Sequence, residues 1–207
     1  MKTSNCMFCS KFGVEYNERQ NREWYDQPIF ENDDFLAVPA LGQLVPGYMM
    51  VVYRRHVLSM SQLPQDKFLQ LWEFCDEVMK FQNQNWGKVV VFEHGICKED
   101  KPAGACINHA HWHLVPGGYE LLPQDMIFKK IVSFEDYSKE KSKHNPYLYY
   151  RDSSQNEFVL DDAEVPSQFF RRILAPKIDK PDEWDYLVFP FLENIRKTYE
   201  AKNRYKK

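Results

Sequence analysis

Three histidines, His109, His111 and His113, alternate with Ala110 and Trp112 in the stretch HAHWHLV. Successive side chains on a β-strand point to opposite faces, so this spacing predicts three imidazoles in one row. Neighbours in the row would sit roughly 6.6–6.8 Å apart along the strand. The opposite face carries Asn108, Ala110, Trp112 and Leu114, mostly core material. A neutral imidazole near pH 7 is a competent nucleophile, metal ligand and proton carrier. Solvent-exposed histidine has no reason to repeat with period two. The bland alternative is a surface ladder or an adventitious metal site.

A second group with chemistry is Cys6-Met7-Phe8-Cys9. A C-x-x-C can be a metal half-site, a redox pair or chance. No βαβ pattern surrounds it, which disfavours redox. Zinc takes four N/S ligands in a tetrahedron, and this pair supplies two. The cysteines number five, at 6, 9, 75, 97 and 106. The first 30 residues lack an apolar signal segment, and an odd cysteine count does not suit a disulfide framework. A reducing, cytoplasmic setting is expected.

The elements that must hold these groups read as α+β. The chain has 207 residues, 43% of them hydrophobic, which suffices for one packed domain, alone or with a large extension. Residues 28–40 read as two short strands around Asn32-Asp33-Asp34. Residues 47–53, after Pro46-Gly47, read as a buried strand. Pro64 opens a helix to about Gln82, with Phe68, Leu71, Trp72, Cys75, Val78 and Met79 on one face. Residues 88–93 and 105–115 are two further strands. Ser138–Asn145 is a charged loop, and 147–151 with 157–160 form a hairpin. A short helix runs from Pro166 to Pro176, and a last one from about Pro190 to Asn203.

Net charge excludes some functions. Lys and Arg total 27 against 30 Asp and Glu, giving −3, with a pI near 6.1. That disfavours a broad nucleic-acid face, though the last six residues are basic. No apolar run reaches the ~18 residues of a transmembrane helix, so no membrane partner is expected.

HAHWHLV resembles the H-φ-H-φ-H-φ-φ motif of the histidine triad (HIT) superfamily. The resemblance runs from about Cys6 to Gly118, through Pro46-Gly47, Tyr53-Arg54-Arg55-His56, a helix and a strand. It implies a HIT-like fold with an antiparallel sheet of about five strands in residues 1–119. Residues 120–207 would be a C-terminal α/β extension packed on it. It also implies a nucleotide substrate attacked at the α-phosphorus. His111 would form a covalent nucleotidyl-imidazole, and His113 would bind phosphoryl oxygens or the leaving group. The resemblance further implies a structural zinc on Cys6, Cys9, His56 and His109, and a possible homodimer.

Three positions depart from the family pattern. Cys106 stands where a hydroxyl donor is usual, Ala40 where many members carry a ribose-binding Asp, and Tyr48 where small HIT hydrolases carry His. His94 falls at a strand end that often carries a phosphate-contacting polar residue in HIT folds, a bystander at a strand end being the more common alternative. Phe35, Val38 and Leu41 could line a base pocket, ordinary core packing being the alternative for each. Arg151, Arg171 or Arg172 could reach a distal phosphate or a second nucleoside, pairing with Asp161, Asp162 and Glu164 being the favoured alternative. The implied substrates are dinucleoside polyphosphates, nucleoside phosphoramidates or nucleotide sugars, handled by a hydrolase or nucleotidyltransferase. A weaker similarity to CwfJ-type domains implies the rival function, an RNA-processing adaptor.

Overall fold

The computed structural model describes residues 6–12, 23–96, 107–140 and 145–205. Cys97 and Cys106 lie outside them. One sheet of eight strands organises the chain, in the order β1-β2-β3-β5-β4-β7-β8-β6, every pairing antiparallel. The first five are β1 (Phe30–Glu31), β2 (Phe35–Pro39), β3 (Met49–Tyr53), β4 (Val89–Gly95) and β5 (His111–Pro116). Then come β6 (Lys129–Ile131), β7 (Tyr147–Arg151) and β8 (Glu157–Asp161). The expected five-stranded sheet is therefore too small. The hairpin β7–β8 docks its Tyr-rich strand on the free edge of β4, pairing Val91 with Arg151 and Gly95 with Tyr147. Sheet hydrogen bonding thus runs unbroken past residue 120. The outermost strands have two and three residues, too short to template strand addition.

The helices are α1 (Met7–Phe12), α2 (Phe68–Trp86), α3 (Phe134–Glu140), α4 (Phe169–Lys177) and α5 (Leu192–Arg204). Period-two alternation divides the sheet into two faces. On one, Phe35, Val51, Val91, Trp112, Leu114 and Tyr149 pack against α2 and α3 in the main core. On the other, Val38, Met50, Phe92, His111 and His113 look toward α1 and α4. The face under α2 needs no polar groups because the helix covers it with Phe68, Leu71, Phe74, Cys75 and Val78.

α2 runs four residues beyond the expected end. Gly87, at φ 90°, closes it with an N–H bond to the Asn83 carbonyl. Gly47, at φ 81°, lies so close to Trp86 that a Cβ there would collide with the indole. Buried Gln82 locks this junction by donating to the carbonyls of Gly47 and Leu114, at 2.7 and 3.0 Å.

Other boundaries shift for local reasons. The histidine strand begins at His111, not at 105. Ala110 donates instead to the Val57 carbonyl at 2.7 Å, so the chain around His109 bends toward residue 57. α4 starts at Phe169 because Gln168 is left-handed, at φ 60°. α5 starts at Leu192 because Phe191 is too, at φ 47°. Pro176 is inside the last turn of α4 rather than after it. Ser138 to Glu140 belong to α3 rather than to a loop.

Candidate active site

His111 opens β5, and its Nδ1 lies 2.6 Å from the carbonyl oxygen of His109. A carbonyl only accepts, so Nδ1 carries the proton and donates it. Nε2 is left with its lone pair, on a ring that lines the cleft. Burial holds the imidazole pKa below its usual value, with the same carbonyl pulling the other way. The ring is therefore neutral and nucleophilic near pH 7. Phe8 of α1 meets it edge-on at 5.4 Å.

His113, two residues on, stacks on Phe92 of β4 at 4.6 Å and 17°, and its ring lies 4.8 Å from that of His111. Its Nδ1 is 2.8 Å from the Tyr48 hydroxyl. Tyr48 is buried and stays protonated, its pKa pushed up to about 12 by burial. Burial drives His113 well below the usual histidine range, and repulsion from Arg171, and from His111 or His94 were they protonated, acts in the same direction. His94, near the end of β4, is 7% exposed and lines the same cleft. Burial takes its pKa down to about 3, and among the described residues its buried Nε2 has no hydrogen-bond partner. Three neutral imidazoles therefore face one cleft.

That cleft is open at its mouth and spans about 930 Å³ with the adjoining solvent included. Val38, Leu41 and Met50 form apolar floor, and Phe8, Phe12 and Ile107 an apolar wall. Gln168, Arg171, Tyr186 and Leu187 complete it from the C-terminal segment. Of the base-pocket candidates, Val38 and Leu41 lie in the cleft and Phe35 does not. Phe35 points through the sheet into the main core, 5.4 Å from Tyr53 and 5.9 Å from Phe74. β2 alternates, and Phe35 has odd parity against Leu36 and Val38. Cys106 falls outside the described residues. Phe8, Tyr186 and Leu187 were not anticipated. Nothing in the spacing of Tyr186 or Leu187 marks them, because they reach the cleft only through the path of the chain after α4.

A second cluster stands beside His111. Cys6, Cys9, His56 and His109 bring one ligand atom each to within 4.8 Å of one another. Cys9 Sγ is 3.2 Å from His56 Nδ1 and 3.5 Å from His109 Nδ1, and Cys6 Sγ is 3.4 Å from His109 Nδ1. A tetrahedron with bonds of 2.0–2.3 Å separates its ligands by roughly 3.3–3.8 Å. The donor set and spacing therefore fit a four-coordinate ion. His109 Nε2 lies 2.6 Å from the Tyr53 carbonyl, which turns Nδ1 toward the cysteines. Burial lowers the His109 pKa to about 4, so it is a neutral donor.

Behind the triad, Glu93 is buried among three donors. Met60 N–H reaches its Oε1 at 2.8 Å, while Tyr147 O–H and Trp112 Nε1–H reach Oε2 at 2.6 and 3.3 Å. Burial raises its pKa to about 7 from 4.5, and the three bonds restrain the rise. Between those values the folded chain keeps a proton that the unfolded chain has lost. Stability therefore falls as pH rises across that window, by on the order of 3 kcal/mol. Glu93→Gln cannot ionise. Its unfolding free energy relative to the native protein is expected to climb by that amount between pH 4.5 and 8. Urea titrations at both ends check this, and a pH-independent difference would refute it.

An antiparallel sheet carrying imidazoles at alternate positions, with the central one held by a backbone carbonyl, defines a histidine-triad protein. Residues 21–119 match the HIT domain family, and the chain belongs to the HIT superfamily. It is similar to the bis(5'-adenosyl)-triphosphatase of Dictyostelium discoideum, 24% identical over 126 residues covering 57% of this chain and 83% of that protein. Among solved structures it is similar to a HIT family member from Bacillus subtilis, with a TM-score of 0.46 and 16% identity over 59% of this chain and 83% of that one. It is also similar to a zinc-bound histidine triad family protein from Mycobacterium smegmatis, with a TM-score of 0.41 and 15% identity over 65% of this chain and 88% of that one.

Proposed function

We propose that the protein is a nucleotide hydrolase working through a covalent nucleotidyl-His111 intermediate. The observation that carries this is the bond from His111 Nδ1 to the His109 carbonyl, which leaves a neutral Nε2 facing an open, largely apolar cleft. In the first step the Nε2 lone pair attacks the α-phosphorus. The N–P bond forms, the bridging P–O bond breaks, and the leaving group departs with the bonding pair. In the second step water attacks the same phosphorus. The O–P bond forms, the N–P bond breaks, and the nucleoside monophosphate leaves as the water proton passes to solvent.

His113 acts as a donor to the phosphoryl oxygens or the leaving oxygen. A protonated Tyr48 hydroxyl donating to Nδ1 sets the tautomer with hydrogen on Nε2. Val38, Leu41 and Met50 offer the base an apolar bed. The similarity to a bis(5'-adenosyl)-triphosphatase favours adenine dinucleotides as substrates. Cys6, Cys9, His56 and His109 hold a structural zinc. With four protein ligands it has no open position for substrate, and its contribution is to fasten α1, which carries Phe8 and Phe12, to the catalytic strand.

Release of AMP from diadenosine triphosphate, diadenosine tetraphosphate and adenosine 5'-phosphoramidate tests the proposal. AMP is expected from at least one. No release from any of the three overturns it.

A further inference from the structure

Arg151, Arg171 and Arg172 of the C-terminal segment meet different fates. Arg151 lies over Trp72 at 4.6 Å and reaches Glu157 at 4.0 Å. Arg172 lies 3.3 Å over the Trp184 ring. Arg171 is 4% exposed and lines the cleft. Its Nε donates to Gln168 Oε1 at 3.1 Å and to the Trp184 carbonyl at 2.9 Å, and its Nη2 to the Gly42 carbonyl at 2.7 Å. All these acceptors are neutral. Among the described residues no carboxylate lies within ion-pair distance of it. A buried guanidinium without a counter-charge is costly, and an arriving anion relieves that cost.

Position says which anion. β3 pairs Met50 with His113, so Tyr48, two residues earlier, stands level with Val115, beyond His113 as seen from His111. The Arg171 guanidinium is 5.7 Å from the Tyr48 ring. Its charge is felt by His113 and His94. His94 is itself nine-tenths buried, and among the described residues its Nε2 has no hydrogen-bond partner. Arg171 thus lines the cleft past His113, away from the nucleophile, whereas His94, which the register of β4 on β5 sets level with His111, faces the same cleft beside the nucleophile.

We propose that Arg171 forms an anion subsite for the leaving group, so that the substrate is a nucleotide whose α-phosphate is joined to further phosphate. This deepens the hydrolase reading and rests on it for the word leaving group. A planar guanidinium suits bidentate contact with phosphate oxygens, and an amine leaving group would leave it unmatched. The C-terminal segment, on this view, selects polyphosphate over phosphoramidate.

Two readouts test it. Arg171→Met is expected to lose about 100-fold in kcat/KM on diadenosine triphosphate, the scale of one lost transition-state donor. On adenosine 5'-phosphoramidate the loss should stay under about threefold. Equal losses on both substrates would make Arg171 a structural stitch and overturn the proposal. Calorimetry with inorganic pyrophosphate does not depend on turnover. The native protein should bind it, and Arg171→Met about tenfold or more weakly, while absent or unchanged binding overturns the subsite. If the native protein turns over neither substrate but binds pyrophosphate through Arg171, the hydrolase reading falls and the subsite stands. Should Arg171→Met fail to fold by circular dichroism, Arg171→Lys replaces it in both assays. It keeps the charge but loses the fork, so intermediate losses on diadenosine triphosphate alone are expected.

Discussion

His111→Ala is expected to abolish turnover, with kcat falling by at least about 10⁴-fold. The size follows from the role. Without Nε2 there is no N–P bond, and the reaction must find a direct attack by water in a cleft built around an imidazole. Only the placement of the phosphate by its neighbours would survive. The fold should survive too, because the ring lies against the cleft rather than in the main core. Intact-protein mass spectrometry after rapid quenching supplies the second readout. The native chain should carry one nucleotide-monophosphate adduct, and the Ala variant none. A variant retaining a tenth of the native rate would remove His111 as the nucleophile. In that event the His109 carbonyl would merely hold a structural histidine.

Removal of the proposed zinc should have the next largest consequence. Structural zinc sites contribute roughly 10–16 kcal/mol of apparent binding free energy in small zinc peptides. Part of that would vanish with a chelator or with Cys9→Ala. Even several kcal/mol lowers Tm by about 10 °C or more in a chain of this length. Activity should fall with it. Cys6 and Cys9 flank Phe8, which packs on both His109 and His111 at 5.7 and 5.4 Å. Released from its anchor, α1 would no longer wall the cleft. Elemental analysis should find about one zinc per native chain and a small fraction of that in Cys9→Ala. A metal-free native protein whose Tm ignores chelators would dispose of the zinc.

The site was legible wherever local spacing carries the information. The period-two histidines put His111 and His113 on one face, and the Cys6–Cys9 spacing announced half of a tetrahedral set. The nearness of that half-set to His56 and His109 is a fact of the fold. The helical face of α2 was readable from its i, i+3, i+4 pattern. Its last turn was not, because Gly87 and the contact of Gly47 with Trp86 decide where it stops. Phe35 shows the converse error. Hydrophobicity placed it near a base, and the parity of β2 turned it into the core.

By itself the sequence determined what could react: an imidazole row, a cysteine pair, and a chain able to build strands and one long amphipathic helix. Those properties live in residue type and short-range period, which the backbone imposes locally. Tertiary structure alone decided the rest. It sent β7 to the edge of β4, enlarging the sheet to eight strands. It brought Arg171 across 129 residues of chain to the Gly42 carbonyl, and so into the cleft. It gave Tyr48, which stands where small HIT hydrolases carry His, a hydrogen bond to His113. Such pairings depend on which buried surfaces meet, and no short window of sequence holds both partners.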